Sequence, residues 1–240
     1  MRILVINPNT SEAMTRTIVD AARSAAPHAT VDGVHPSHGV PSVESHTEEA
    51  WATIGVLEQV ELAEASDSAP DAYVIACFGD TGLAAAREAA SVPVVGMTEA
   101  ALFTAVSLAH RFAIVTMPRR TIAQSDRVVE SLGLGHRCTV RAVDAAVSEL
   151  EEGSAHLLAA FAAESRAAIR DDGAEAIVLG CAGLADLVEP LSRELGVPVI
   201  DGVAAGVAFA AGLVAQGLQT SRAGAFGTVP GAPSAAEVLR

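Results

Sequence analysis

Lysine is absent from this chain of 240 residues, and all fifteen of its basic residues are arginine. The absence of lysine excludes the Schiff-base lysine of pyridoxal-phosphate enzymes and the phosphate-binding lysine of a P-loop. Twenty-nine acidic residues give a formal net charge of −14. Nucleic acids and anionic membranes would repel such a chain, which leaves a small neutral molecule among the partners that its charge allows.

Cysteines and long apolar runs are also scarce. The three cysteines, Cys77, Cys138 and Cys181, form no CxxC pair, and no signal peptide is recognised. We therefore expect free thiols in a cytoplasmic protein rather than a disulfide framework. The longest apolar stretch, residues 203–215, is shorter than the ~18 to 20 residues of a membrane span and is predicted to be a buried helix.

An internal repeat organises the chain. Residues 71–77 (DAYVIAC) and 175–181 (EAIVLGC) each run from an acidic residue through an apolar segment to a cysteine. Residues 3–8 have a counterpart in residues 112–118, which also look like a strand ending in a polar turn. Strand-like runs alternate with segments of helical period, which is typical of βαβ units. The predicted fold is α/β, with two similar open parallel-sheet halves related by a pseudo-dyad and the active site in the cleft between them.

The repeat also predicts how the chain divides. The first half should comprise residues 1–98 with 206–240, because we expect the last helix to pack back on it, and the second half residues 99–205. A helix is predicted over residues 47–66. Pro190 should break a helical segment or start a new helix.

The two repeat-related cysteines indicate the chemistry. Residues just past the carboxyl end of a parallel strand face the ligand crevice, and Cys77 and Cys181 both occupy that place. A helix N-terminus lowers a thiol pKa from ~8.5 toward neutrality, so reactive thiols are expected. If the halves face each other, the thiols approach one carbon from opposite sides. This is the geometry of a two-base racemase, in which one thiolate removes a proton beside a carbonyl and the other thiol returns one.

An enolate intermediate needs hydrogen-bond donors, and the segments around both cysteines supply candidates. The predicted substrate-binding residues are Asn9, Thr10, Phe78, Gly79, Asp80, Thr81, Thr116, Ala182 and Gly183. Asp80 with Thr81 is equally well explained as a helix cap. Glu99 could orient either a substrate nitrogen or a backbone amide. Asp201 is expected to cap the final helix, and Cys138, inside a strand-like run, is expected to be structural.

Neither a metal nor a cofactor is predicted. His35, His38 and His46 surround one loop, but no pair has the spacing of metal ligands on a helix. Residues 7–11 stand where a dinucleotide-binding fold places its glycine-rich turn, and they contain no glycine.

Three stretches carry a resemblance to a known family. Residues 6–11, 76–83 and 179–186 resemble the signatures of the hydantoin and allantoin racemases, within the aspartate/glutamate racemase superfamily. The resemblance implies cofactor-independent racemisation of a 5-substituted hydantoin or of allantoin, with Cys77 and Cys181 as the acid/base pair. The amino-acid racemases of the superfamily usually carry Asn-Thr after the first cysteine and Thr-His after the second. The different residues at 78–79 and 182–183 point away from glutamate or aspartate as substrate.

Other functions stay open at this stage. A maleate isomerase-like enzyme would use two cysteines on a dicarboxylate, an arylmalonate decarboxylase-like enzyme would need one, and an amino-acid racemase is a third relative. A non-catalytic module that binds a small metabolite belongs to a different class. The second thiol disfavours the decarboxylase, and the shortage of cations near both cysteine motifs disfavours the dicarboxylate. A homo-oligomer is among the expected assemblies.

Overall fold

Two parallel four-stranded sheets with flanking helices make up the fold. The computed structural model describes residues 1–227, 229–231 and 233–238, without the side chains at 151, 152 and 236. The first sheet contains β1 (Arg2–Ile6), β2 (Thr30–Val34), β3 (Ala72–Ile75) and β4 (Val94–Gly96). The second contains β5 (Phe112–Thr116), β6 (Cys138–Ala142), β7 (Ala176–Gly180) and β8 (Val199–Asp201).

Helices follow most of the strands. The α-helices are α1 (Glu12–Ala25), α2 (His46–Glu64), α3 (Leu83–Ala89), α4 (Met97–Leu108), α5 (Ile122–Ser131), α6 (Leu158–Asp172), α7 (Val188–Leu195), α8 (Gly202–Ala215) and α9 (Ala235–Val238). The helix predicted over residues 47–66 is thus observed as α2. Pro190 lies in the first turn of α7, where its missing N–H costs no helical hydrogen bond, so it starts a new helix as expected.

The two sheets repeat one topology. Their strand orders are β2-β1-β3-β4 and β6-β5-β7-β8. In the first sheet Ile3 pairs with Ala72, and at the equivalent place in the second Phe112 pairs with Ala176. The predicted fold class of two similar parallel-sheet α/β halves is confirmed. The division of the chain near residues 98 and 205 stays a prediction.

The central strands are buried because helices cover both faces of each sheet. Every residue of β3, β5 and β7 is buried, as expected for parallel strands made of continuous apolar runs. Cys138 lies in β6, is 8% exposed and packs in the core of the second half, in agreement with a structural role. All three cysteines are free thiols. No helix among the described residues has both the length and the apolar character needed to cross a bilayer.

Helix α8 packs against α4, α1 and β3, and so joins the two halves. Asp201 caps this helix, accepting hydrogen bonds from the N–H groups of Val203 and Ala204 at 3.1 and 3.0 Å, as predicted. Gly206 allows the close approach to the first sheet, because a Cβ there would lie 2.9 Å from Val74 Cγ1.

Two alanine substitutions within α8 test this packing. Gly206→Ala should destabilise the protein by about 1 to 3 kcal/mol, since the added methyl overpacks a buried contact. Gly212→Ala in the same helix meets no atom within 4 Å, so helix propensity alone should raise the stability by about 0.5 to 1 kcal/mol. Chemical denaturation of both variants measures the difference. Equal stability changes would contradict the close contact of α8 with β3.

Candidate active site

A pocket with a cavity volume of about 40 Å³ lies at the carboxyl ends of the central strands. Residues of both halves line it. The first half contributes Asn9, Cys77 and Phe78, and the second contributes Thr116, Cys181 and Ala182, among others. The described residues that line this pocket carry no formal charge.

Equivalent strand ends place the two cysteines in this pocket. Cys77 comes two residues after the end of β3, and Cys181 directly follows β7. Because the carboxyl ends of parallel strands lie at the same edge of a sheet, the residues beyond β3 and β7 project into the crevice there. Cys181 is 8% exposed and Cys77 is partly exposed. A negative charge on Cys181 contributes to raising the pKa of Cys77, which is consistent with two neighbouring thiols in one pocket.

The pKa values of both thiols lie above the ordinary range. Burial raises the pKa of Cys77 to about 12, partly offset by the Thr81 hydroxyl, which donates a hydrogen bond to Sγ at 3.4 Å. Burial likewise raises the pKa of Cys181 to about 11, against the N–H groups of Gly183 and Ala182 that favour its thiolate.

The sequence predicted lowered pKa values for both thiols, and this prediction is wrong. The helix that follows Cys77 begins only at Leu83, and Cys181 is followed by a 3₁₀ turn rather than by an α-helix. Loss of hydration in the pocket then outweighs the hydrogen bonds that would stabilise a thiolate.

Two predicted substrate-binding residues make hydrogen bonds that hold the fold together. The N–H of Gly79 donates to Thr98 Oγ1 at 2.8 Å. The Asp80 carboxylate accepts from the N–H groups of Thr98 and Glu99 at 2.8 and 2.9 Å. Asp80 thus caps α4, which is remote in sequence, and not the helix that follows it. The N–H of Gly79 and the carboxylate of Asp80 are therefore engaged within the protein, and a substrate-binding role for either residue stays a prediction.

Glu99 and Thr10 also have protein partners. Glu99 accepts a hydrogen bond from the N–H of Gly96 at 3.3 Å and forms an ion pair with Arg87. Of the two roles left open for Glu99, the structure therefore shows the backbone amide. Thr10 donates from its N–H and its hydroxyl to the carbonyl of Val40 at 2.9 and 3.3 Å, so it anchors the loop after β2.

Asn9 and Thr116 line the pocket with side chains that are already oriented. Asn9 Oδ1 accepts from Asn7 Nδ2 at 2.8 Å and from the N–H of Ser11 at 2.9 Å. The Thr116 hydroxyl donates to the carbonyl of Gly180 at 2.9 Å, immediately before Cys181. Both side chains are thus held by hydrogen bonds within the protein where they line the pocket.

Comparison with known proteins supplies the family. The model of the Asp/Glu/Hydantoin racemase family matches residues 3–210. The chain belongs to this racemase family. It is 43% identical over 224 residues to a hydantoin racemase of Pseudomonas sp. (strain NS671), covering 92% of this chain and 89% of that protein. It is 42% identical over 228 residues to a hydantoin racemase of Paenarthrobacter aurescens, covering 94% and 96%.

A solved structure shows the same family likeness in three dimensions. Allantoin racemase from Klebsiella pneumoniae superposes with a TM-score of 0.92 at 45% identity, covering 97% of this chain and 95% of that chain. The protein is accordingly a racemase, and the resemblance seen in residues 6–11, 76–83 and 179–186 is confirmed.

The racemase has pocket residues that the sequence reasoning missed. Thr121, Gln124 and Ser125, from α5 and the turn before it, line the pocket. The internal repeat contained a signal for Gln124. Gln124 stands six positions after Pro118, as Met14 stands six positions after Pro8, and Met14 also lines the pocket.

A segment from each half of the racemase contributes a valine to the same pocket. Val43, from the loop after β2, and Val147, from the segment after β6, both line it. They are joined by Glu44, whose Oε1 accepts a hydrogen bond from the N–H of Val147 at 3.2 Å. The pocket lining therefore includes apolar side chains from these two segments, which a hydrogen bond joins.

Proposed function

We propose that this racemase inverts C5 of a 5-substituted hydantoin or of allantoin, with Cys77 and Cys181 as a two-base pair. The observation that carries the proposal is the placement of two repeat-equivalent thiols in one pocket whose lining has no charge. The reaction needs two groups that exchange protons and a wall that accepts a neutral ring. The pocket offers both.

The proposed reaction is a transfer of one proton off and one proton on. The thiolate of one cysteine takes the proton from C5, the C5–H bond breaks, and its electron pair passes into the adjacent carbonyl to form an enolate. The thiol of the other cysteine then gives its proton to the opposite face of C5, which becomes the inverted centre. Each turnover leaves the two sulfurs with exchanged protonation states, so the enzyme is ready for the reverse reaction.

The raised thiol pKa values have two opposite effects on this reaction: each thiolate becomes a stronger base, but a smaller fraction of each thiol is ionised. A thiolate whose conjugate acid has a pKa of about 11 or 12 is a strong base toward a carbon acid. It is also scarce at neutral pH. Thr81 for Cys77, and the N–H groups of Ala182 and Gly183 for Cys181, offset part of this cost by donating to the sulfur.

Charge supports a neutral ring over a carboxylate substrate. The acidic side chains of Glu49 and Glu44 lie near enough to raise the pKa of Cys77 and of Cys181 respectively. A dicarboxylate or an amino-acid carboxylate would meet this negative field with no cation in the described pocket lining to oppose it. The similarity to proteins named hydantoin racemase and allantoin racemase favours a cyclic ureide independently.

Loss of optical rotation tests the proposal. Single enantiomers of several 5-substituted hydantoins, of allantoin, and of glutamate and aspartate are incubated with the dialysed enzyme in the presence of a chelator. We expect rotation to decay for cyclic ureides and to persist for the amino acids. Binding of hydantoins without decay would indicate a non-catalytic module, and faster racemisation of the amino acids would overturn the assignment of substrate.

A further inference from the structure

Gln124 is a buried polar residue of the pocket that the mechanism above does not use. It is 5% exposed and lines the pocket. Its carboxamide makes no hydrogen bond within the part of the chain that the structure describes. The carboxamide is also not fully enclosed by protein atoms, since the one enclosed and unpartnered side-chain atom among the described residues is Ser165 Oγ. Buried amides in folded proteins nearly always have partners. A carboxamide that lacks one and faces a cavity therefore indicates that the ligand supplies it.

The fold holds Gln124 close to both halves of the site. It lies on α5 of the second half, and its Cβ is 3.6 Å from the position of a Cβ built on Gly79, just beyond Cys77. Gly79 has a φ of +103°, a backbone conformation that glycine adopts readily. The Cβ of Gln124 therefore lies beside the loop after Cys77.

The two carboxamides of the pocket differ in what they can still bind. Asn9 Oδ1 already accepts from two donors, and Asn9 Nδ2 lies 3.3 Å from Met14 Sδ, which acts as its acceptor. Gln124 keeps one acceptor oxygen and an NH₂ donor side by side. Met14, the repeat counterpart of Gln124, offers only a thioether. On the wall that α5 forms, Gln124 therefore offers a carboxamide that has no hydrogen-bond partner among the described residues.

We infer that Gln124 determines specificity by pairing with the amide edge of a cyclic ureide, an inference that rests on the proposed function. The ring holds an N–H and a C=O on the same edge. The Gln124 oxygen accepts from the ring N–H while its NH₂ group donates to the adjacent carbonyl. An α-amino acid has no such edge, because its ammonium group only donates and its carboxylate only accepts. Gln124 thus selects ureide rings at a site without charges.

The test compares substrates with and without a ring N–H. The value of kcat/KM is measured for a 5-substituted hydantoin and for its N1-methyl and N3-methyl derivatives, with wild-type enzyme, Gln124→Met and Gln216→Met. Methionine has a similar size and flexibility but cannot make the paired bonds. Gln216, at the exposed end of α8, is the matched control.

Wild-type enzyme should prefer the parent hydantoin over one N-methyl derivative by about 10- to 100-fold, the effect of losing one or two hydrogen bonds to a buried partner. Gln124→Met should lower kcat/KM for the parent by a similar factor and abolish the preference. Gln216→Met should behave as wild type. If Gln124→Met does not fold, Gln124→Leu has the same expected result.

A steric preference against the added methyl group would survive in Gln124→Met. Persistence of the N–H preference in a folded Gln124→Met enzyme would therefore overturn the role of Gln124 and leave racemisation intact. A wild-type enzyme that racemises the parent and both methyl derivatives equally well would also overturn it. A wild-type enzyme that racemises no cyclic ureide would instead overturn the proposed function, and the inference about Gln124 with it.

Discussion

Replacing either Cys77 or Cys181 by serine should lower the rate of racemisation by about 10²- to 10⁴-fold, the contribution typical of a positioned acid or base. A serine hydroxyl holds its proton much more tightly than a thiol, so it cannot serve as the base on its side of the pocket. Each variant should still exchange the C5 proton of the one enantiomer that the remaining cysteine reaches. Polarimetry measures racemisation, and deuterium uptake from heavy water measures exchange.

Cys138→Ser is the matched control. This cysteine lies in the core of the second half and does not line the pocket, so the same change there should leave racemisation close to the wild-type rate. Full racemase activity in Cys77→Ser or in Cys181→Ser would refute the two-base assignment. An equal loss of activity in all three variants, with normal folding only in the wild type, would indicate a structural effect instead.

Alkylation of the pocket thiols by iodoacetamide should accelerate about tenfold per pH unit from pH 7 to pH 10, because only the thiolate reacts. Burial raises the pKa of Cys77 to about 12 and of Cys181 to about 11. Both thiols are therefore protonated at pH 7, and the thiolate fraction grows with pH until it approaches those values. Mass spectrometry of peptides containing each cysteine gives the two rates separately.

A small thiol such as free cysteine serves as the reference, because its rate levels off near its ordinary pKa of ~8.5. A plateau for Cys77 or Cys181 below that of the reference would show a lowered pKa. Such a result would support the lowered thiol pKa predicted from the sequence. It would also show that burial does not dominate the pKa of that cysteine.

The sequence predicts the fold and the position of the two cysteines well, because both depend on local patterns. Apolar runs that end in Cys77 and Cys181 mark strand ends, and their repetition along the chain corresponds to the repeated strand order of the sheets. Asp201 before a long apolar segment is likewise a local signal, and the cap it predicts is present.

Long-range contacts explain what the sequence did not predict. The Asp80 carboxylate finds its partners 18 and 19 residues further along the chain, where α4 begins. The closeness of Gly96 to Asp80, where a Cβ would lie 2.4 Å from the carboxylate carbon, is visible only in three dimensions. The raised thiol pKa values have the same origin, since the depth of a pocket depends on how two distant halves pack.

The wall formed by α5 shows a second limit of sequence reasoning. Residues near Cys77 and Cys181 were natural candidates because the chemistry is centred on them. Gln124 follows a different strand and carries no motif, yet the helix after β5 brings it to the pocket. Only the repeat, which relates it to Met14, contained a hint of its position.

Early-time labelling of C5 in heavy water tests the central claim most directly. A single enantiomer of a 5-substituted hydantoin is incubated with wild-type enzyme in D₂O, and substrate and product are separated on a chiral column at low conversion. Transfer between two thiols on opposite faces predicts deuterium at C5 of the product enantiomer while the recovered substrate keeps its proton. Product that retains the original proton, or substrate labelled as fast as product, would contradict two separate bases.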